Sequence, residues 1–597
     1  MTYKIVAVLF VLTLSPSTFA QKTPAAPKSS LCTRENSLDT INQQILGSRT
    51  FDDQVRRIAV LIRAADLLWP YQKEKSLATF TEAFDIATQN FKEHGDVENK
   101  ASNSQFAARI PLPDQRYKVI TALAKRDSAA ARKLSEQATQ SDLQALEQNG
   151  AANPELRRKL AEKTLTVAYG LLETDPVAAA NFARNSFQYT ATLQLPGFLF
   201  NLAKRNRTVA DALYSDALVA YGNSPMDQFL YLSSYPFGNN REAGEMPGYT
   251  FYQVPEGFVP NVALERAFTQ KLLARAQVAL ESAEETGPNV RWTELSQIWM
   301  ALTRLEKQIG SSLPDLVESA VQTKDRAFAS LSQANQKKTG NVINGENEPK
   351  KSFDERVEAA EKLADVDKRD RDLTFAVTGS SKDVPLDRIL SVIDKISDEN
   401  VRSALTNWLY FFQSQVLNRE KKFDEAHALA AKVSELDQRV YLFTQIAEAM
   451  LKNEEDQTRI REMLEEIATA ASKAPNTIVT ARALLALANL YAKVDVNRGI
   501  EQLGNAVRVV NAIEKPDFSQ QFVMMKIEGK NFGSYASFQT PGFNPETAFA
   551  EVSKSDFDGT LSQSTNFAEK SLRSLTTLAV VEPCLKVEPP TKKKRAD

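Results

Sequence analysis

Cysteine and histidine are almost missing from this chain: two of each in 597 residues, Cys32 and Cys584, His94 and His427. Two thiols at opposite extremes of the chain build no zinc site of recognised spacing. Two histidines on unrelated segments leave little for imidazole-based acid–base chemistry. His94 stands in "FKEHGD" just before Gly95, where an imidazole suits a helix C-terminus. His427 falls inside a helical repeat. An excess of charge is missing too, since 73 Lys and Arg face 75 Asp and Glu for a net charge of −2. That balance supplies no long-range field for a polyanion, so nucleic acid is not an expected partner. The phosphate-loop pattern GxxxxGK[ST] and the nucleophile elbow GxSxG are both absent. "KTG" at Lys338–Gly340 lacks an SxxK companion. No cofactor and no metal is implied.

Long apolar runs are missing after the first twenty residues. The run that does exist, "IVAVLFVLTL" at Ile5–Leu14, follows Lys4, leads into "SPSTFA" and is short for a bilayer span. These features read as a signal peptide over residues 1–20, cleaved after Ala20. Cys32 in "SSLC" lacks the small residue that a lipoprotein cleavage site places before its cysteine. The expected product is exported, periplasmic or secreted, with no integral membrane segment after cleavage. In an oxidising compartment Cys32 and Cys584 either bridge or remain two separate thiols. A bridge requires Cα atoms within about 7 Å, so it would bring the two ends of the chain together.

What the chain has in abundance is helical periodicity. "VRRIAVLIRAADLLW" places Val55, Ile58, Ile62, Ala65 and Trp69 on one helical face, and "TARALLALANLYAKV" does the same with Ala481, Leu484, Leu485, Ala488 and Tyr491. No alternating run is long enough to suggest a sheet. A unit with a small anchor recurs in "LAKRDSAAARKLSEQA", "LLETDPVAAANFARNSF" and "LAKRNRTVADALYSDAL". Its anchors are Ala131, Ala179 and Ala210. Partners follow at four residues (Ser135, Ala183, Tyr214) and at seven (Ala138, Ser186, Ala217), with a larger residue at three (Leu134, Phe182, Leu213). Such offsets lie on one helical face and admit a close neighbouring helix. Asp127, Asp175 and Asn206 precede the anchors as turn or helix-start residues. The second half repeats the pattern at Ala426 and Gly499, with a looser copy at Ile460 between them, the three spaced 34 and 39 residues apart.

On these residues the chain resembles a degenerate tetratricopeptide-type array, whose period is about 34 residues, with "FDEAHALAAKV" as the best match. The resemblance covers about half of the chain. It implies an all-α solenoid of helical hairpins whose surface binds protein segments. The expected organisation is a leader over 21–40, a helical half over 41–333, a linker over 334–352, a second helical half over 353–580 and a basic tail over 581–597 carrying Lys592–Arg595.

Two segments break the helical period, 222–260 and 516–560, and both are rich in Gly, Pro and aromatic residues. "FYQVPEGFVP" and "SFQTPGFNP" share Gln, Pro, Gly-Phe and a final Pro that should open a helix, which suggests two duplicated halves. Tyr235, Phe237, Tyr249, Phe251, Tyr252, Phe258, Phe538 and Phe543 are the candidate binding aromatics, able either to stack on a sugar or peptide or to pack over the array. The expected function is a non-enzymatic binding or assembly scaffold for an envelope or secreted protein. The alternative is a glycan-binding or carbohydrate-active protein on a helical toroid, which requires two carboxylates converging beside those aromatics.

Overall fold

The computed structural model describes residues 31–95, 114–148, 154–239, 253–282, 292–347, 351–380 and 383–587. Tyr249, Phe251, Tyr252, the signal segment and Lys592–Arg595 lie outside the described residues. The described chain is a succession of α-helices with one two-stranded sheet.

The recurring unit is a helical hairpin, and at five corners a single residue makes the turn. Asp175 donates its N–H to Leu171 O at 2.8 Å, closing one helix, while its carboxylate accepts from Ala178 N at 2.9 Å, opening the next. Asp127, Asn206, Asp495 and Asp556 do the same between their flanking helices. Backbone angles repeat as well: φ −153°, ψ 97° at Asn206 and φ −159°, ψ 95° at Asp495. Asp and Asn suit this corner because a short side-chain oxygen reaches the orphan N–H groups of the next helix.

All six anchors, Ala131, Ala179, Ala210, Ala426, Ile460 and Gly499, are buried on second helices of hairpins. At Gly499 a Cβ would approach Ala492 N at 3.3 Å, so the helix pair packs backbone to backbone there. The outer faces carry ion pairs at a separation close to the repeat: Arg184 with Asp216, Arg205 with Glu173, Arg388 with Asp354 and Arg498 with Glu465.

The apolar core runs as one cluster from Ile41 to Leu331, with Leu578, Val581 and Leu585 from the far end of the chain inside it. A second cluster extends from Phe411 to Phe567 and includes Val580. The helix Lys570–Val581 therefore belongs to both cores. It packs on Arg34–Ser48 and Gln54–Leu68, joining the last helix to the first two. Each fully buried Leu or Val contributes roughly 1.5–3 kcal/mol to that joint. Cys32 and Cys584 are bonded across it with Cα atoms 5.1 Å apart. Leu585 O accepts from Arg34 Nε at 2.9 Å and from Tyr71 Oη at 2.8 Å, and Arg56 pairs with Glu569 at 2.8 Å. The helical array thus returns on itself.

Several boundaries differ from the expectations above. Within the linker expected over 334–352, Gln333–Asn347 is a helix that buries Thr339 and Ile343, one turn apart, and packs on the helix Glu294–Ser312 of the first half. The leader stops at Thr33, whose hydroxyl caps the helix Arg34–Ser48. Residues 582–586 form a short 3-10 turn with Cys584 fully buried, so the segment after 580 begins as core.

The absence of sheet is corrected by an antiparallel hairpin inside 516–560, β1 (Phe522–Gly529) and β2 (Phe532–Gln539). Val523, Met525 and Ile527 alternate with exposed residues, a period-2 pattern obscured by the Gly and Ser of β2.

Candidate functional site

The most concentrated chemistry in the described chain is a buried charge cluster that the sequence reading passed over. Asp114 and Arg116 sit at the start of the helix Gln115–Ala124, Asp142 on Ser128–Gln148 and Lys163 on Pro154–Leu171. Arg116 Nη2 donates to Asp114 Oδ2 and to Asp142 Oδ1, both at 2.6 Å. Lys163 Nζ donates to Asp114 Oδ2 at 2.9 Å, and Tyr117 Oη to Asp142 Oδ2 at 3.0 Å. The guanidinium of Arg116 lies 3.5 Å from the Phe91 ring centroid. None of the four charged side chains is more than 4% exposed.

The two carboxylates are not equivalent. Burial acts to raise both pKa values. At Asp114 the hydrogen bonds and charges of Arg116 and Lys163 outweigh it and hold the carboxyl below its ordinary value; at Asp142 burial wins and the value is raised. Burial, followed by the Asp142 charge, raises Tyr117. Two cations and two carboxylates balance, so the cluster ties three helices together without leaving net charge in the core. The signal was present in the sequence: Arg116 lies four and seven residues before Ile120 and Leu123, on the buried face of its helix.

The candidate aromatics are mostly inside. Tyr235 is fully buried, stacked on Tyr214 with centroids 5.4 Å apart, and donates to Asp211 Oδ1 at 2.7 Å. Phe258 packs on Phe200 at 5.0 Å and lies under Arg207 at 4.2 Å. Phe237 meets Phe268 edge to face. Gly238, at φ +63°, lets the chain turn against Phe258, which a Cβ would approach at 3.2 Å. In the second segment Phe538 packs among Phe411, Phe412 and Tyr441, and Phe543 is buried beside Arg482. Tyr235, Phe237 and Phe543 therefore present no stacking surface.

His427 Nε2 lies 2.9 Å from Glu466, and its ring stands edge-on to Phe443. His94 reaches Asn90 O at the end of its helix. Among the described residues no group of three or more His, Cys, Asp or Glu is placed to hold a metal ion.

The β hairpin packs one face on the helices and turns the other outward. Its β1 edge is stitched to the helices: Arg482 Nη2 donates to Phe522 O at 2.8 Å, and Gln438 Nε2 to Met524 O at 3.0 Å. Gln438 is itself held by Asn407 at 2.6 Å. On the outer face Tyr535 is 59% and Met524 42% exposed.

No protein-family model and no curated protein matches the chain. Among solved structures it is similar to one titled "Circular tandem repeat protein with novel repeat topology and enhanced subunit contact surfaces". That match has 11% identity over 93% of this chain and 96% of the other, with a TM-score of 0.14. The architecture rests on the recurring hairpins themselves. The chain is a helical repeat protein. No helix among the described residues is long and apolar enough to cross a membrane.

Proposed function

We propose that this repeat protein is a non-enzymatic binding or assembly scaffold for another exported protein, with hairpins of the tetratricopeptide type. The observation that carries this reading is the joint between the chain ends. A bond linking residues 552 positions apart, with Leu578, Val581 and Leu585 set into the first core, turns a flexible array into a fixed frame. Solenoids bind through extended surfaces whose curvature comes from repeat stacking, and a frame fixed at both ends presents that surface already ordered. Pairing of both cysteines also favours export, because such bonds persist outside the reducing cytosol.

In-cell crosslinking followed by mass spectrometry tests the reading. A reproducible exported protein crosslinked to the hairpins supports it; recovery of the chain without any protein partner overturns it.

The glycan-active alternative calls for two carboxylates beside the aromatics of the two loops; the Asp114–Asp142 pair, with its pKa values moved apart, stands instead beside Tyr117 and Phe91. Both carboxylates are engaged by Arg116 and sealed from solvent, which favours the scaffold. Polysaccharide cleavage by the wild type that is lost in a folded Asp142→Asn variant would reverse that ranking.

A further inference from the structure

The two edges of the β hairpin are treated differently. In an antiparallel ladder the backbone groups of successive residues point alternately toward and away from the neighbouring strand. Thr540 N donates to Gln521 O at 3.0 Å, which sets the phase. Phe532, Ser534, Ala536 and Phe538 therefore face β1, while Gly533, Tyr535, Ser537 and Gln539 turn their N–H and C=O groups to the outside. The corresponding outward carbonyls of β1 at Phe522 and Met524 are occupied by Arg482 and Gln438. Those of β2 have no such side chain against them among the described residues, and all four outward residues are exposed.

An unpaired edge is a template for another strand, and proteins ordinarily blunt it with Lys, Pro, a bulge or a very short strand. β2, "FGSYASFQ", has none of these: eight residues, no charge, no proline, and a regular register from Phe532 to Gln539. It also complements itself. Antiparallel pairing with the same strand about a two-fold axis at Ala536 sets Tyr535 opposite Ser537 and Gly533 opposite Gln539. Each larger side chain then meets a small one, no like charges meet, and every outward N–H and C=O finds a counterpart. Such a contact is isologous and closes as a dimer.

We propose that β2 pairs with β2 of a second copy of this chain, forming a continuous four-stranded antiparallel sheet across a homodimer. This goes beyond the scaffold reading and stands or falls apart from it.

The test uses the full exported chain with its disulfide intact. Sedimentation or light scattering from micromolar to about 100 μM should give twice the chain mass. Ser537→Pro removes an N–H that points away from β1, so it spares the internal ladder. It should weaken the dimer at least tenfold, a difference of about 1.4 kcal/mol, with the helical circular dichroism unchanged. Ala536→Cys places two thiols opposite each other at the axis, where non-hydrogen-bonded pairs have Cα atoms about 4.5 Å apart, within disulfide reach. It should form a covalent dimer on oxidation, and Lys530→Cys in the turn should not. A wild type of single-chain mass throughout the range overturns the proposal, as does a dimer unaffected in folded Ser537→Pro. If that variant does not fold, the cysteine pair decides alone, and equal crosslinking at positions 530 and 536 overturns the β2 register. A monomeric wild type leaves the scaffold's own crosslinking test untouched.

Discussion

The segments 222–260 and 516–560 occupy the same place in the chain order and do opposite things there. Each follows the second helix of a hairpin, Arg207–Tyr221 in one half and Val496–Asn511 in the other. Each contains a proline-bearing turn, with Phe258 N bonded to Pro255 O and Phe543 N to Thr540 O, both at 3.0 Å. In both, an Asn then caps the next helix: Asn261 for Val262–Glu281 and Asn544 for Pro545–Ser553. Pro545 opens its helix, whereas Pro260 falls before the cap, two residues short of Val262. Between hairpin and turn, the first segment folds as short helical pieces, Met226–Phe237, that push Tyr235 and Phe237 into the core. The second runs out as β1 and β2. One slot holds an apolar plug and the other a strand pair with one exposed face, so a shared turn motif sets where a segment re-enters the array and says nothing about what it does beforehand.

The halves differ in their buried polar chemistry in the same sense. The first closes a cluster of four charges, Arg116 among them, whereas the second uses Arg482 and Gln438 to reach out to β1. Asp114→Ala should have the largest effect, because it leaves Arg116 and Lys163 buried with one carboxylate between them; about 3–5 kcal/mol is expected from denaturant midpoints. The pair's pH dependence sharpens this. Asp114's depressed pKa makes its contribution present above its unfolded value and lost as pH falls through the lower folded value. Asp142's raised pKa works in reverse: its contribution is present below the unfolded value and lost as pH rises through the folded one. The melting-temperature advantage of wild type over Asp142→Asn should therefore grow as pH is lowered through Asp142's raised pKa toward its unfolded value. An unchanging gap would refute the assignment.

Tyr235→Ala should cost about 3–5 kcal/mol in the same assay, as expected for removing a buried aromatic ring. Arg482→Met should act locally. Hydrogen exchange over 522–539 should accelerate by the loss of hydrogen bonds from a charged donor, about 1.5–3 kcal/mol, while the helices of the first half keep their protection. The smallest effects separate the two slots most cleanly. Tyr235→Phe leaves Asp211 short of a donor and should cost about 1 kcal/mol, whereas Tyr535→Phe, on the exposed strand, should leave the melting temperature unchanged.

Repetition was the most legible feature of the sequence. Small residues at offsets of 0, 4 and 7 identify a close-packed helix because only a small side chain admits the neighbouring backbone, and Asp or Asn before the anchor identifies the corner. The hairpin was less legible: β2 alternates Gly, Ser and Ala with aromatics, so hydrophobic periodicity is weak on its own strand and becomes clear only against β1. Arg116 was legible in retrospect, as a charge on an apolar helix face two residues after Asp114, but Asp142 and Lys163, which complete the cluster, lie 26 and 47 residues further along the chain. No local pattern joins them.

By itself the sequence determined the helical repeat, the corners between helices, and the presence of two cysteines available to pair, because each depends on contacts within a turn or two or on simple number. Only the tertiary structure decided that the last helix serves both cores, that the aromatic residues of one slot turn inward while the other slot offers a strand edge, and that four buried charges converge. Those outcomes depend on which distant surfaces meet, where burial and electrostatics act between residues from tens to hundreds of positions apart.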